Sequence, residues 1–180
     1  MGKILNWKPI PNFEGLYDIS DTGLVRARKK KREGTEIYLK EKLIKGRDKG
    51  KGYKQVILHK NGVKTPMDIS VAVALAFVGD KGEMILDHKD GNPKNNNLSN
   101  LRYCDRAQNK MNSRKHPNTS SIYKGVSWDK QTKKWRAYIR VKSVLKHLGF
   151  YQEESDAAKK YNNNALKYFG EFALINKIYE

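Results

Sequence analysis

The chain has 180 residues, and 37 Lys+Arg against 19 Asp+Glu give a formal net charge of +18. That length allows one domain or a few small modules, and so large a positive excess opposes a compact state unless a polyanion offsets it. The single cysteine, Cys104, excludes an intramolecular disulfide and a Cys-rich zinc site, and no apolar run reaches membrane-spanning length.

Nucleic acid is the leading candidate for the polyanion. An anionic membrane surface competes less well, because the basic residues are spread along the whole chain and not gathered on one amphipathic helix. The first residues, "MGKILNWKPIPNFEG", lack the apolar core of a signal peptide. The expectation is an intracellular protein with Cys104 as a small buried residue, no membrane association and no protein partner.

Residues 1–66 read as short strands and turns. "YDIS" and "GLVRAR" flank the turn signal "DTG". "YKQVILHK" alternates as a strand does, and Asn61-Gly62 after it is the strongest short hairpin signal. "ARKKKREGTE" is read as a phosphate-contacting arm, since basic residues recur in "IKGRDKGKGYK".

Residues 67–112 change character. The Ala-rich apolar run "DISVAVALAFV" reads as a short buried helix, with Asp68 or Ser70 available as N-cap; its valines leave a strand open. A Gly-containing break, a strand "MILDH", a loop "KDGNPKNNN" and "LSNLRYCDRAQNKMNS" follow. The last piece becomes helical from about Asp105, which can cap it.

Residues 113–180 form the third part, opening with a linker-like "PNTSS". "YKGVSWD", "KWRAYIRV" and "LKHLGFY" are strand candidates, with "KQTKK" as a polar turn between the first two. "EESDAAKKYNNNALKYFG" reads as an amphipathic helix, with Ala157, Ala158, Tyr161, Ala165 and Tyr168 near helical spacing and Gly170 at the C-cap.

The stretch "ILDHKDGNPKNNNLSNLRYCDRAQN", residues 85–109, has a bland reading as a hydrophilic hairpin loop. The sharper reading is a metal-dependent phosphodiesterase site. Cleaving a phosphodiester needs a cation for the added negative charge, a base for water, and a firm hold on the strand. A carboxylate and an amide oxygen are hard ligands suited to Mg²⁺. Imidazole, with an unperturbed pKa of roughly 6.5, can act as the base at neutral pH.

"DHKDGNPKNNNLSNLRYCDRAQN" resembles the ββα-metal (His-Me finger) core of HNH endonucleases, especially phage and intron-encoded homing endonucleases. The resemblance covers roughly residues 67–112. It implies that Asp87 and Asn109 hold one divalent metal ion, Mg²⁺ or alternatively Mn²⁺. It implies His88 as general base and Asn100 as the Asn that ties the loop together and orients the base. His59, His116 and His147 lack this context. Ser70 stands where many relatives carry a His, which removes an auxiliary contact and leaves the core chemistry.

Two flanking parts carry resemblances of their own. "WKPIPNFEGLYDISDTGLVRAR" resembles an N-terminal module often fused to HNH homing nucleases, with Trp7, Phe13, Tyr17 and Val25 as its small core. Residues 123–176 resemble the Apetala/ethylene-response-factor DNA-binding domain, which lays a three-stranded sheet in the major groove. That implies base contacts from Lys124, Arg136 and Arg140 on the strands, with Trp135 as either contact or core. Lys130, Lys133 and Lys134 in the turn are expected on phosphates. His147 stands where relatives often carry Trp.

The expected architecture is a modular α+β protein: a β-rich N-terminal module (1–66), a ββα-metal nuclease core (67–112), and a linker with a three-stranded sheet plus helix (113–180). The expected function is site-directed, metal-dependent cleavage or nicking of double-stranded DNA. The alternative is a DNA-binding regulator with a degenerate nuclease core. An RNA-binding protein fits the charge but gives no reason for the Asp-His-Asn set.

Overall fold

A computed structural model describes residues 4–28, 42–113, 115 and 119–178. Most of the basic stretch "ARKKKREGTE" lies outside the described residues, as do His116 and the start of "PNTSS". The chain divides into two compact units, one ending at Cys104 and one beginning at Asp105. Among the described residues no helix is long and apolar enough to cross a membrane.

The first unit opens with four short strands, β1 (Trp7–Pro9), β2 (Tyr17–Ser20), β3 (Val25–Ala27) and β4 (Lys42–Ile44), paired in that order. Asp18 on β2 is fully buried and accepts from Arg26 Nε at 2.9 Å and Arg28 Nε at 2.8 Å. Arg26 also stacks over Trp7 at 4.3 Å. Both arginines of "VRAR" are therefore engaged by a buried carboxylate, which would be costly to leave without them.

A second sheet runs β5 (Arg47–Gly50), β6 (Tyr53–Lys60) and β7 (Val63–Asp68). Asn61 and Gly62 turn β6 into β7 with φ of 50° and 79°, the paired positive φ of a type I′ hairpin. Helix α1 (Ile69–Phe77) follows at once. It carries no charged residue, and Ile69, Ser70, Ala72, Val73 and Ala74 are buried. Asp68 takes the N-cap position without a side-chain cap bond; its carboxylate is held instead by Lys49 at 2.8 Å and Gln55 at 3.2 Å. The hairpin β8 (Ile85–His88) and β9 (Leu101–Cys104) completes the unit.

One apolar core holds these pieces together. It joins Ile10, Phe13, Ile19 and Val25 to Val56, Leu58, Ile69, Ala72, Val73 and Leu101. The boundary placed at residue 66 thus marks a change of element type and not a gap between cores. The change from strands to helix is visible in the sequence; the shared interior is not.

The second unit begins with α2 (Arg106–Met111), followed by the antiparallel strands β10 (Val126–Asp129), β11 (Lys134–Val141) and β12 (Val144–Tyr151), then α3 (Glu154–Phe169). Asp105 caps α2 in a reciprocal box: its side chain accepts from Gln108 N at 2.8 Å, and Gln108 Oε1 accepts from Asp105 N at 2.9 Å. Ala157, Ala158, Tyr161 and Ala165 are buried against the sheet, with Val126, Ala137 and Ile139 opposite. Gly170 ends α3 with φ 53°.

Candidate active site

Asp87 and His88 are the last two residues of β8, and both are buried. In the β8–β9 register Asp87 faces Arg102. Arg102 donates to Asp87 Oδ2 from Nε at 3.0 Å and from its terminal nitrogen at 2.9 Å. Each side chain is only 8% exposed, so the pair forms in a poorly hydrated setting where a partnered charge is far better placed than a lone one. Nothing in the residue pattern identified Arg102 beforehand. A strict cross-strand count from Asp87 is the signal that would have found it.

His88 projects toward the asparagine-rich loop, where its Nε2 lies 3.2 Å from Asn96 Oδ1. An amide oxygen only accepts, so this contact selects the Nε2–H form of neutral imidazole and leaves the lone pair on Nδ1. Asn100 was expected to tie the loop and to orient the base. It does the first: its Nδ2 donates to Asp90 Oδ1 at 3.0 Å and to the Asn95 carbonyl at 2.8 Å, while its Oδ1 accepts from Asp90 N at 3.1 Å. The ring contact belongs to Asn96, four residues earlier, because Asn100's side chain is fully engaged in closing the loop.

The loop owes its many asparagines to local turns. Asn92 Oδ1 accepts from Lys94 N at 3.2 Å, and Asn95 Oδ1 accepts from Asn97 N at 3.4 Å, the side-chain-to-backbone economy of Asx turns. Asp90 is the hub, accepting from Asn92 N at 2.7 Å, Asn95 Nδ2 at 2.8 Å and Asn100. Partial burial opposes its ionisation. The hydrogen bonds from Asn95, Asn92 and Asn100, with His88 nearby, outweigh that and hold its pKa below the usual carboxylate value.

Because that folded-state pKa is depressed, the stability Asp90 contributes is present above its unfolded pKa of about 3.8. It is lost as pH falls below that value through the folded one. Asp90→Ala is expected to cost about 1 kcal/mol at neutral pH, since the carboxylate is exposed and its bonds are partly screened. The variant should lose less stability than the natural chain between about pH 4 and pH 2. Thermal unfolding across that range checks both statements.

The "DTG" turn supports the loop from beneath. Leu98 N donates to the Asp21 carbonyl at 2.8 Å. A Cβ on Gly23, whose φ is 84°, would lie 3.0 Å from Asn96 Cβ and 3.0 Å from Ile69 Cγ2. Only glycine fits that conformation and that space together.

Asn109 lies on α2, in the second unit. Asp87 in the first unit offers a carboxylate oxygen and Asn109 an amide oxygen, each a hard donor of the kind a magnesium-like ion takes. Among the described residues there is no group of three or more His, Cys, Asp and Glu that could hold a metal. His59 and His147 stand elsewhere, His147 exposed on β12 and edge-on to Phe150 at 4.6 Å.

In the second unit, the outward face of the sheet carries Arg136, Tyr138 and Arg140 on β11 beside Leu145, His147 and Phe150 on β12. Arg140 is exposed. Arg136 is half-buried, its guanidinium over Tyr138 at 5.4 Å, and its Nε has no hydrogen-bond partner among the described residues. Lys130 and Lys133 are exposed in the β10–β11 turn, and Lys134 opens β11 half-buried. Trp135 packs on the core side.

Lys124 corrects the reading from sequence. It precedes β10, and its Nζ donates to the Met111 carbonyl at 2.7 Å. Burial lowers its pKa to about 8. An ammonium held this way is an internal tie, because the Tyr-Lys-Gly approach to the strand turns inward before the strand begins.

Similarity to known proteins falls on the same segments. Residues 6–59 match the NUMOD4 motif, and residues 69–111 match the HNH endonuclease family. DNA endonuclease I-HmuI of Bacillus phage SP01 is 34% identical over 100 residues, covering 55% of this chain and 52% of that protein. An uncharacterized HNH endonuclease, L245, of Acanthamoeba polyphaga mimivirus is 34% identical over 107 residues, 59% of this chain and 29% of its own. The alignment thus spans about half the length of I-HmuI and less of L245. A solved structure of DNA binding and cleavage by the HNH homing endonuclease I-HmuI aligns with TM-score 0.52 and 26% identity, over 86% of this chain and 82% of that chain.

Proposed function

We propose that this chain, which carries an HNH endonuclease segment over residues 69–111, is a metal-dependent endonuclease of double-stranded DNA, of the homing type. The observation that carries this is the Asp87-His88 pair at the end of β8, with the ring of His88 held at Nε2 by Asn96. HNH nucleases generally use a divalent metal. Asp87 and Asn109 would hold it here, and it would supply charge neutralisation at the phosphate. His88 Nδ1 takes a proton from water, whose oxygen forms the new bond to phosphorus as the bridging P–O bond breaks. The basic surface of the β10–β11 turn, Lys130, Lys133 and Lys134, contacts phosphates. Arg136 and Arg140 face bases from a sheet of the Apetala/ethylene-response-factor kind. One such site per chain suits nicking of one strand.

A second reading, a DNA-binding regulator with a degenerate core, is favoured by one feature: Asp87 is already neutralised by Arg102. Plasmid nicking with Mg²⁺, with Mn²⁺ and with EDTA separates the two. The expected result is nicking only with a divalent ion. Asp87→Asn, chosen to keep a partner for buried Arg102, should lose about 100-fold or more, and Asn109→Ala should lose less, because it removes no charge. Nicking at full rate in EDTA overturns the metal mechanism, and no nicking by the natural chain with either ion favours the regulator.

A further inference from the structure

Tyr53 on β6 lies edge-on to His88, with ring centroids 6.0 Å apart and planes at 71°. It is 43% exposed, more than core packing calls for. Among the described residues its hydroxyl meets no hydrogen-bond partner.

The turn that delivers Tyr53 is built for close approach. β5 and β6 pair Gly50 with Tyr53, so Lys51 and Gly52 make a two-residue loop with φ of 52° and 87°. Asp48 Oδ1 fixes its entry by accepting from Gly50 N at 2.7 Å. A Cβ on Gly52 would lie 3.3 Å from Pro93 Cγ and from Lys94 Cγ and Cε. The turn's backbone therefore rests on the loop that runs from His88 to Asn96.

Charge is concentrated at this turn. Between residues 45 and 54, Lys45, Arg47, Lys49, Lys51 and Lys54 face a single carboxylate, Asp48. Lys49 is engaged by Asp68 and Arg47 by Gln55. Lys51 and Lys94 have no ion-pair or hydrogen-bond partner for their ammoniums among the described residues. Uncompensated ammoniums beside a candidate phosphodiesterase site are what a polyanionic strand would meet first.

We propose that the Lys51–Tyr53 turn is the strand-gripping wall of the active site. Tyr53 is a positioning residue that sets the ring of His88. Its hydroxyl, with the ammoniums of Lys51 and Lys94, holds the DNA backbone beside the bond to be cut. The cleavage part of this rests on the endonuclease reading; the ring contact and the backbone grip do not.

The test uses full-length Tyr53→Phe, Tyr53→Ala and the double variant Lys51→Gln/Lys94→Gln. Three readouts apply: the ¹⁵N and ¹H signals of the His88 imidazole at one fixed pH, duplex affinity against salt, and single-turnover cleavage at saturating DNA. Tyr53→Phe should leave the His88 signals in place and weaken duplex binding about five-fold, one hydrogen bond's worth. Tyr53→Ala should move the signals, and slow cleavage at saturation about ten-fold or more. The double lysine variant should lower the slope of log affinity against log salt by about two.

Wild-type His88 signals in Tyr53→Ala would overturn the positioning role. An unchanged salt slope in the double lysine variant would overturn the grip. Failure of the natural chain to cleave duplex DNA would count against the endonuclease reading, and the imidazole signals and salt slopes would still decide the role of this turn.

Discussion

His88→Ala is expected to slow cleavage by about 10²–10⁴-fold while duplex binding persists. The side chain ends β8, is 7% exposed, and offers Nδ1 as acceptor once Nε2 is committed to Asn96. Alanine removes the imidazole proposed to take the proton from water, and Asp87, held by Arg102, is not placed to replace it. The substitution also leaves Asn96 Oδ1 facing a small void, a cost of about 1–3 kcal/mol if water does not fill it. Circular dichroism and thermal unfolding should therefore accompany the kinetics, and His88→Gln, which keeps a donor for Asn96, serves as the second variant. Single-turnover assays on protein purified away from host nucleases give the answer. A rate within a few-fold of the natural chain would remove His88 from the role of base.

Raising salt from about 50 to about 200 mM is expected to weaken duplex binding by about 10³–10⁵-fold, the behaviour of a protein that neutralises six to ten phosphates. The formal charge of +18 gives ample means, and Lys130 and Lys133 stand exposed in one turn of the second unit. Replacing Lys130, Lys133 and Lys134 by Gln should reduce the slope by about three and weaken all duplexes alike. Arg140→Ala should behave differently. If its guanidinium meets a guanine edge, losing it relaxes preference at one base pair by about 1–3 kcal/mol with little change in slope. Salt titrations combined with sequencing of bound or cut sites distinguish the two patterns. Identical slopes for the triple variant and the natural chain would mean that this sheet is not a reader of DNA.

Where residues 42–178 are described, the elements were largely legible, because their signals are local. Asn61-Gly62, the alternation of "YKQVILHK", Asp105 with Gln108 three positions on, and the alanine and tyrosine spacing of α3 each act within a few residues. The pair Asp87-His88 was legible for the same reason. What the sequence withheld depends on register and on distance along the chain. Arg102 meets Asp87 only because β8 and β9 pair as they do. Asn96 rather than Asn100 meets His88 because five nearby asparagines compete, and only the loop's closed shape decides which one reaches the ring. Lys124 looked like a strand residue, but its ammonium turns back to the Met111 carbonyl. Charge counting could not separate such ties, or the Arg26 and Arg28 pair on Asp18, from side chains left facing solvent.

The interior that links Ile10, Ile19 and Val25 to Leu58, Val73 and Leu101 bears on how such chains are inherited. A crossover between genes at residue 66 would deliver each half with a torn hydrophobic face, and the asparagine-rich loop would lose the glycine ledge beneath Asn96. Residues 4 to 104 therefore hold one interior in common, and any exchange that keeps this interior whole must leave residue 66 uncut.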